Sequence, residues 1–164
     1  MASYRRVLFG IALFGASLAC GAPASADVAV PGLGAACSGE LDGAMTLLPD
    51  GTTYVTCQQQ SGPEYRWAAV QTPFPPNDTW LSYGPAITVH GQGMRNPNLS
   101  SGPWSATPQD PETTCRLTQT TVVAAGMLAA PEVSEGEQGK PLAVQMQPTL
   151  FYAELAGDCL WVKD

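Results

Sequence analysis

The sequence offers few residues that could carry out catalysis. His90 is the only histidine, so any nucleophile that needs an imidazole base would have to use it, and no Gly-x-Ser-x-Gly motif accompanies it. A glycosidase needs only two suitably spaced carboxylates. Glu132, Glu135 and Glu137 fit a solvated loop, and Glu154 fits an outward-facing strand position. We therefore predict no catalytic residue.

Metal and cofactor sites are also not expected. The cysteines of the predicted mature chain are 20, 58 and 44 residues apart and form no Cys-x-x-Cys pair. No loop repeats acidic residues at the spacing of a calcium-binding EF-hand. The segment Gly91-Gln92-Gly93 lacks the third glycine of a phosphate-binding loop and reads as a turn. We predict neither a bound metal nor a cofactor.

Aromatic residues give the one candidate binding surface. Trp80 and Tyr83 follow a proline-rich stretch, and His90 ends the next apolar run. These three side chains could line a groove that holds a sugar or peptide by stacking. The alternative is that Trp80 and Tyr83 only pack between two parts of the fold.

The composition indicates many turns and an acidic surface. The chain has 164 residues with 17 Gly and 15 Pro, and only 13% of its residues are charged. This composition disfavours coiled coils and helical bundles. Together with the β-prone runs along the chain, it leads us to predict an all-β protein. A formal net charge of −7, with no basic cluster, excludes nucleic acid as a partner.

The first 26 residues read as a secretory signal peptide. Arg5 and Arg6 precede a 13-residue apolar run, which is too short to span a bilayer, and Ala24-Ser25-Ala26 is a small-x-small cleavage site. Cleavage after Ala26 would lower the formal net charge to −9. Lipid attachment at Cys20 is the alternative, although Ser17 stands where a lipobox needs Leu. No transmembrane segment is predicted.

Loss of Cys20 would leave an even number of cysteines, which in an exported chain predicts two disulfides. Four cysteines allow three connectivities. A proline-rich stretch separates the first two from the last two, and this grouping favours Cys37 with Cys57 and Cys115 with Cys159.

Residues 27–70 are predicted to form a small β-meander stapled by one disulfide. Two β-prone runs, 44–48 and 53–57, flank the turn Pro49-Asp50-Gly51, and a third strand is expected at 65–70. Residues 71–79 contain Pro73, Pro75 and Pro76 and are expected to form a stiff linker or a surface loop.

Residues 80–164 are predicted to form a β-sandwich-like domain of short strands. Leu142, Val144 and Met146 alternate on one face of an expected strand. A hairpin is expected from Leu150–Leu155 and Cys159–Val162, with its turn at 156–158. Residues 124–130 could form either a helical turn or a strand.

The first part resembles a small module of actinobacterial exported proteins, through Cys37, Asp50-Gly51, Cys57 and Trp67. The second part resembles a β-sandwich domain of actinobacterial exported proteins and lipoproteins. The matching residues are Gly102, Trp104, Ala106, Cys115, Leu117, Gly139, Val144, Met146, Cys159 and Trp161. This resemblance implies a Cys115–Cys159 disulfide and an extracytoplasmic location, and it brings no catalytic residue.

The expected function is that of a secreted or cell-wall-associated, non-catalytic binding module. Its partner would be an envelope or extracellular glycan, peptide or protein. Two alternatives stay open: a hydrolase of envelope glycan or ester that uses carboxylates or His90, and an extracellular proteinase inhibitor that presents the loop 93–101.

Overall fold

The computed structural model describes residues 30–164. Its secondary structure is all β apart from one 3₁₀ turn at Gly39–Leu41. The eleven strands are β1 Ala36–Cys37, β2 Met45–Leu47, β3 Tyr54–Gln59, β4 Tyr65–Ala69, β5 Thr79–His90, β6 Gly102–Pro108, β7 Arg116–Ala124, β8 Met127–Leu128, β9 Glu132–Glu135, β10 Leu142–Met146 and β11 Leu150–Lys163. The predicted signal peptide, its cleavage site and Cys20 lie outside the described residues.

The strands form one mixed sheet in the order β1-β4-β3-β2-β5-β11-β6-β10. β7 lies outside this order: it pairs with β11, and also with β8 and β9. β2 runs parallel to β5, and every other pairing is antiparallel. The expectation of an all-β fold is confirmed.

The predicted N-terminal meander is present. β2 and β3 form an antiparallel pair, and β4 continues it. The turn before β3 is held by Asp50, whose Oδ1 accepts the backbone N–H groups of Thr52 and Thr53 at 2.9 and 2.8 Å. A hydrogen bond from the Thr53 hydroxyl to the ionised carboxylate, together with these two backbone bonds, lowers the pKa of Asp50 to about 2.

The hairpin expected at the C-terminal end is wrong, because residues 150–163 form the single strand β11. Segments on both sides of 156–158 pair with β5, so the chain does not reverse direction. The register shifts between Leu155 and Gly157, and Gly157 has a φ of +91°. The turn-like residues therefore make a β-bulge inside a long strand rather than a hairpin tip.

Three further segments can be compared with the expectations from the sequence. Residues 124–130 contain a turn and the short strand β8, not a helical turn. Glu132 and Glu135 lie in β9, which pairs with β7, although a loop was expected there. In β10 the predicted alternation is confirmed, since Leu142, Val144 and Met146 are more buried than the residues between them.

One hydrophobic core joins the two predicted parts. Met45 and Leu47 of β2 pack in the same buried cluster as Trp80, Trp104 and Trp161. Met45 is also the partner of Trp80 in the parallel β2–β5 pairing. The sheet and the core thus continue from the described part of the first unit, residues 30–70, into residues 80–164.

Two disulfides cross-link this sheet, one at its β1 end and one at its interior strand β11. Cys37 is bonded to Cys57, and Cys115 to Cys159, as predicted. The first joins β1 to β3 within a smaller buried cluster that includes Val55. The second attaches the residue before β7 to β11, one residue beyond Asp158 near the bulge.

Candidate functional site

An open cleft of about 410 Å³ lies where residues 72–74 of the proline-rich connector meet the loop after β5. We call it the connector cleft. Its lining residues are Tyr54, Thr72, Pro73, Phe74, His90, Met94, Arg95, Asn96 and Asn98. The lining therefore combines rings and apolar side chains with amides and two basic groups, and it contains no carboxylate.

One wall of the cleft is formed by the rings of Tyr54 and Phe74, which pack against the buried ring of Trp80. The ring of Phe74 lies 5.1 Å from that of Tyr54, edge to face, and 6.4 Å from that of Trp80. Tyr54 meets Trp80 at 6.0 Å, also edge to face. The Trp80 indole N–H donates to the Asn77 carbonyl at 3.1 Å, which fixes this buried ring. Such edge contacts are favourable for aromatic rings and hold the wall in place.

Tyr54 contributes a hydroxyl as well as a ring. Burial raises the pKa of this hydroxyl above its usual value, so the group stays protonated at neutral pH. It points to the Asn98 side-chain oxygen at 3.4 Å.

Asn98 connects the three segments that form the cleft. Its side-chain Oδ1 accepts the His90 backbone N–H at 2.8 Å, and its own N–H donates to the His90 carbonyl at 2.8 Å. Its carbonyl accepts the Asn77 N–H from the connector at 2.8 Å. Because Asn98 is only 7% exposed, these bonds are shielded from water. Hydrogen bonds within the protein therefore hold the segments around the cleft in place.

The loop that bears Met94, Arg95 and Asn96 is held close to the start of β11. The Gly93 N–H donates to the Leu150 carbonyl at 2.7 Å. A Cβ atom at Gly93 would stand 2.7 Å from the Thr149 carbonyl oxygen, so a side chain would push the loop away. Asn96 has a φ of +56°, a left-handed conformation that asparagine tolerates better than most residues.

The predicted surface of Trp80, Tyr83 and His90 does not occur as one exposed group. His90 lines the connector cleft, whereas Trp80 is fully buried behind the aromatic wall. Tyr83 is 5% exposed, and its hydroxyl donates to the Leu47 carbonyl at 2.7 Å. The ring of Tyr83 borders a different cleft of about 400 Å³, beside Leu47 and Ile87. Trp80 and Tyr83 are buried because both lie in β5, which begins at Thr79 and is a central strand of the sheet.

The carboxylates considered for hydrolysis lie elsewhere. Glu135 and Glu137 make surface ion pairs with Arg116 and Lys140, at 3.8 and 2.5 Å. Glu154 lies in β11 between Thr88 and Thr118 of the neighbouring strands. None of these carboxylates lines the connector cleft with His90.

A pair of aspartates near the bulge has pKa values shifted in opposite directions. Hydrogen bonds from the Thr113 hydroxyl and the Glu112 N–H lower the pKa of Asp110. Burial, and then the charge of Asp110, raises the pKa of Asp158. Neither residue lines the connector cleft. Among residues 30–164, no group of three or more His, Cys, Asp or Glu side chains is placed to hold a metal ion.

Sequence reasoning named His90 and, for a different role, the loop 93–101, but it did not identify the other cleft residues or the part that Arg95 and Asn98 play there. Phe74 was the cleft residue that the sequence indicated most clearly. It is a large aromatic side chain among Pro73, Pro75 and Pro76, and such a side chain favours packing against another part of the fold. Arg95 and Asn98 carried no signal, since their role depends on the approach of two loops.

Comparison of the chain with models of known families, with curated proteins and with solved structures found no match. Within the described part of the chain, no helix is long and apolar enough to cross a membrane.

Proposed function

We propose that the protein is exported and acts as a non-catalytic binding module of the cell envelope or extracellular space, with the connector cleft as its ligand site. The observation that carries this proposal is the set of Asn98 hydrogen bonds, which join β5, the connector and the loop after β5. A concave site built in advance, with apolar walls and a few convergent polar groups, is typical of small-molecule binding sites.

Binding is favoured over hydrolysis by the composition of the cleft. The connector cleft offers His90 but no carboxylate to orient it or to act with it as an acid–base pair. Its aromatic, amide and basic groups are suited to hold a ligand without reacting with it.

Export and fold type are part of the same proposal. The predicted signal peptide and the resemblance to actinobacterial exported proteins support secretion, with cleavage after Ala26. Two disulfides fit an oxidising compartment. A sandwich-like arrangement of residues 80–164 is supported by β11, whose first half pairs with β7 and whose second half pairs with β6.

The proposal is tested by NMR titration of the isotope-labelled protein with a panel of envelope fragments: neutral glycans, acidic glycans and short peptides. We expect at least one member to shift amide signals of the cleft residues. Phe74→Ala should abolish that binding, whereas Phe151→Ala, a half-buried phenylalanine that does not line the cleft, should retain it. The proposal fails if no panel member perturbs the cleft, or if both variants bind equally well.

A further inference from the structure

Arg95 differs from the other arginine and lysine residues that the structure describes. Among residues 30–164, the remaining four each form an ion pair with an acidic side chain. These pairs are Arg66–Glu64 at 2.9 Å, Arg116–Glu135 at 3.8 Å, Lys140–Glu137 at 2.5 Å and Lys163–Asp78 at 3.9 Å. Within the same residues, Arg95 has no such partner, and it lies exposed at the connector cleft. Its guanidinium is thus available to a ligand.

The surroundings of Arg95 favour a negative charge. The cleft has no acidic lining residue, whereas the whole chain carries 14 acidic residues against 7 basic ones. An acidic surface repels anions in general. In the connector cleft, an anion can therefore reach Arg95 without being repelled by a carboxylate that lines the cleft. The planar fork of an arginine side chain suits a carboxylate, which it can bind through two parallel hydrogen bonds.

The rest of the cleft fits a ring that bears hydroxyl groups. Tyr54 and Phe74 provide an aromatic wall, with Met94 and Pro73 as further apolar surface. Apolar C–H faces of sugars pack against such surfaces, while the amide of Asn96 can donate to and accept from hydroxyl groups.

From this combination we infer that the connector cleft binds a short acidic saccharide. Arg95 holds the carboxylate, and the sugar ring lies on the wall of Tyr54 and Phe74. The inference rests on the proposed binding function and names its ligand class. Arg95 can pair with one carboxylate of such a saccharide, and the net negative charge of the protein disfavours long polyanions.

The test compares digalacturonate with its dimethyl ester, which keeps both rings and their hydroxyl groups but loses both negative charges. Both are titrated into the protein at 20 and 200 mM salt and followed by NMR. We expect digalacturonate to bind about tenfold more tightly than the ester at low salt, as for a charge-assisted hydrogen bond, and to weaken at high salt.

Two variants with the same change in net charge separate a local from a general effect. Arg95→Gln should remove the tenfold preference for digalacturonate. Arg116→Gln, on β7 and outside the cleft, should retain it. Because both arginines are exposed, the unfolding midpoint of each variant should stay near that of the parent protein.

The outcomes distinguish this inference from the function on which it rests. Equal binding of acid and ester, or an unchanged preference in Arg95→Gln, overturns the acidic-saccharide assignment. If neither saccharide binds while a neutral glycan or peptide of the panel shifts the cleft signals, the assignment fails and the binding function stands. If no compound shifts the cleft signals, both fail.

Discussion

Gly157, at the bulge of β11, allows a direct test of whether this strand is continuous. Its φ is +91°, and a Cβ atom there would stand 2.5 Å from the Thr114 carbonyl oxygen and 3.1 Å from the Cys159 sulfur. Replacing Gly157 by alanine therefore imposes an unfavourable backbone conformation and a clash with neighbouring backbone. Neither effect can be relieved by rotating a side chain.

The expected loss follows from these two contributions. A left-handed conformation costs a non-glycine residue about 1–2 kcal/mol. Forcing an extra carbon into a packed site typically costs about 1–3 kcal/mol. We therefore expect Gly157→Ala to lower the free energy of unfolding by about 2–5 kcal/mol.

Gly126→Ala is the matched control. Gly126 also has a positive φ, +72°, but a Cβ there would meet no atom within 4 Å. This variant should show only the conformational cost of about 1–2 kcal/mol. Both free energies of unfolding are measured by urea denaturation without reductant, so that the disulfides stay intact.

The comparison can refute the reasoning. If residues 156–158 were the exposed tip of a hairpin, as the sequence suggests, Gly157 would have open space around it. Gly157→Ala would then cost no more than Gly126→Ala. A difference of less than about 0.5 kcal/mol between the two variants would mean that β11 does not run through the bulge as described.

Three further predictions concern stability. Replacing Cys115 and Cys159 together by alanine should lower the free energy of unfolding by about 4 kcal/mol, because the disulfide closes a loop with a sequence separation of 44. Equilibrium urea denaturation measures this loss, and a curve identical to that of the parent protein would contradict the prediction. Asp50 has a folded-state pKa of about 2 against an ordinary 3.8, so its stabilising effect is present above pH 3.8 and lost as pH falls towards 2. Thermal unfolding of Asp50→Asn between pH 2 and 5 should accordingly depend less on pH than that of the parent, and parallel curves would count against the turn geometry. Leu99→Ala should cost about 2–5 kcal/mol, because Leu99 is fully buried beside the cleft loop; calorimetry checks this, and a loss below 1 kcal/mol would mean that the loop is not anchored there.

Local signals predicted the parts of the fold that depend on neighbouring residues. The β2–β3 hairpin could be found because β-prone runs flank Pro49-Asp50-Gly51, and the Asp50 carboxylate forms the turn with residues close in sequence. The same holds for the alternation in β10. The disulfide pairs followed from the grouping of the cysteines around the proline-rich stretch.

The bulge in β11 could not be predicted in this way. Ala156-Gly157-Asp158 has the composition of a turn, and locally nothing distinguishes a hairpin tip from a bulge. The difference is made by β5, whose twelve residues, Thr79–His90, pair with β11 on both sides of the irregularity. The length of a partner strand some seventy residues away is not encoded near residue 157.

The candidate site was only partly accessible for the same reason. His90 was found because it is the only histidine. Arg95 and Phe74 became significant only once Asn98 was seen to hold the connector against the loop after β5. For Trp80 the sequence left open a groove or packing between two parts of the fold, and the structure buries it in the core cluster that also contains Met45 of β2.

The placement of β11 sets the order in which the protein can fold. This strand lies between β5 on one side and β6 and β7 on the other, yet it follows all of them in the chain. The three partner strands therefore have no common neighbour until β11 is added, and pairing it with β5 closes loops of some seventy residues. Folds dominated by such distant contacts form slowly. We therefore expect the sheet to be completed late in folding, when β11 pairs with β5, β6 and β7.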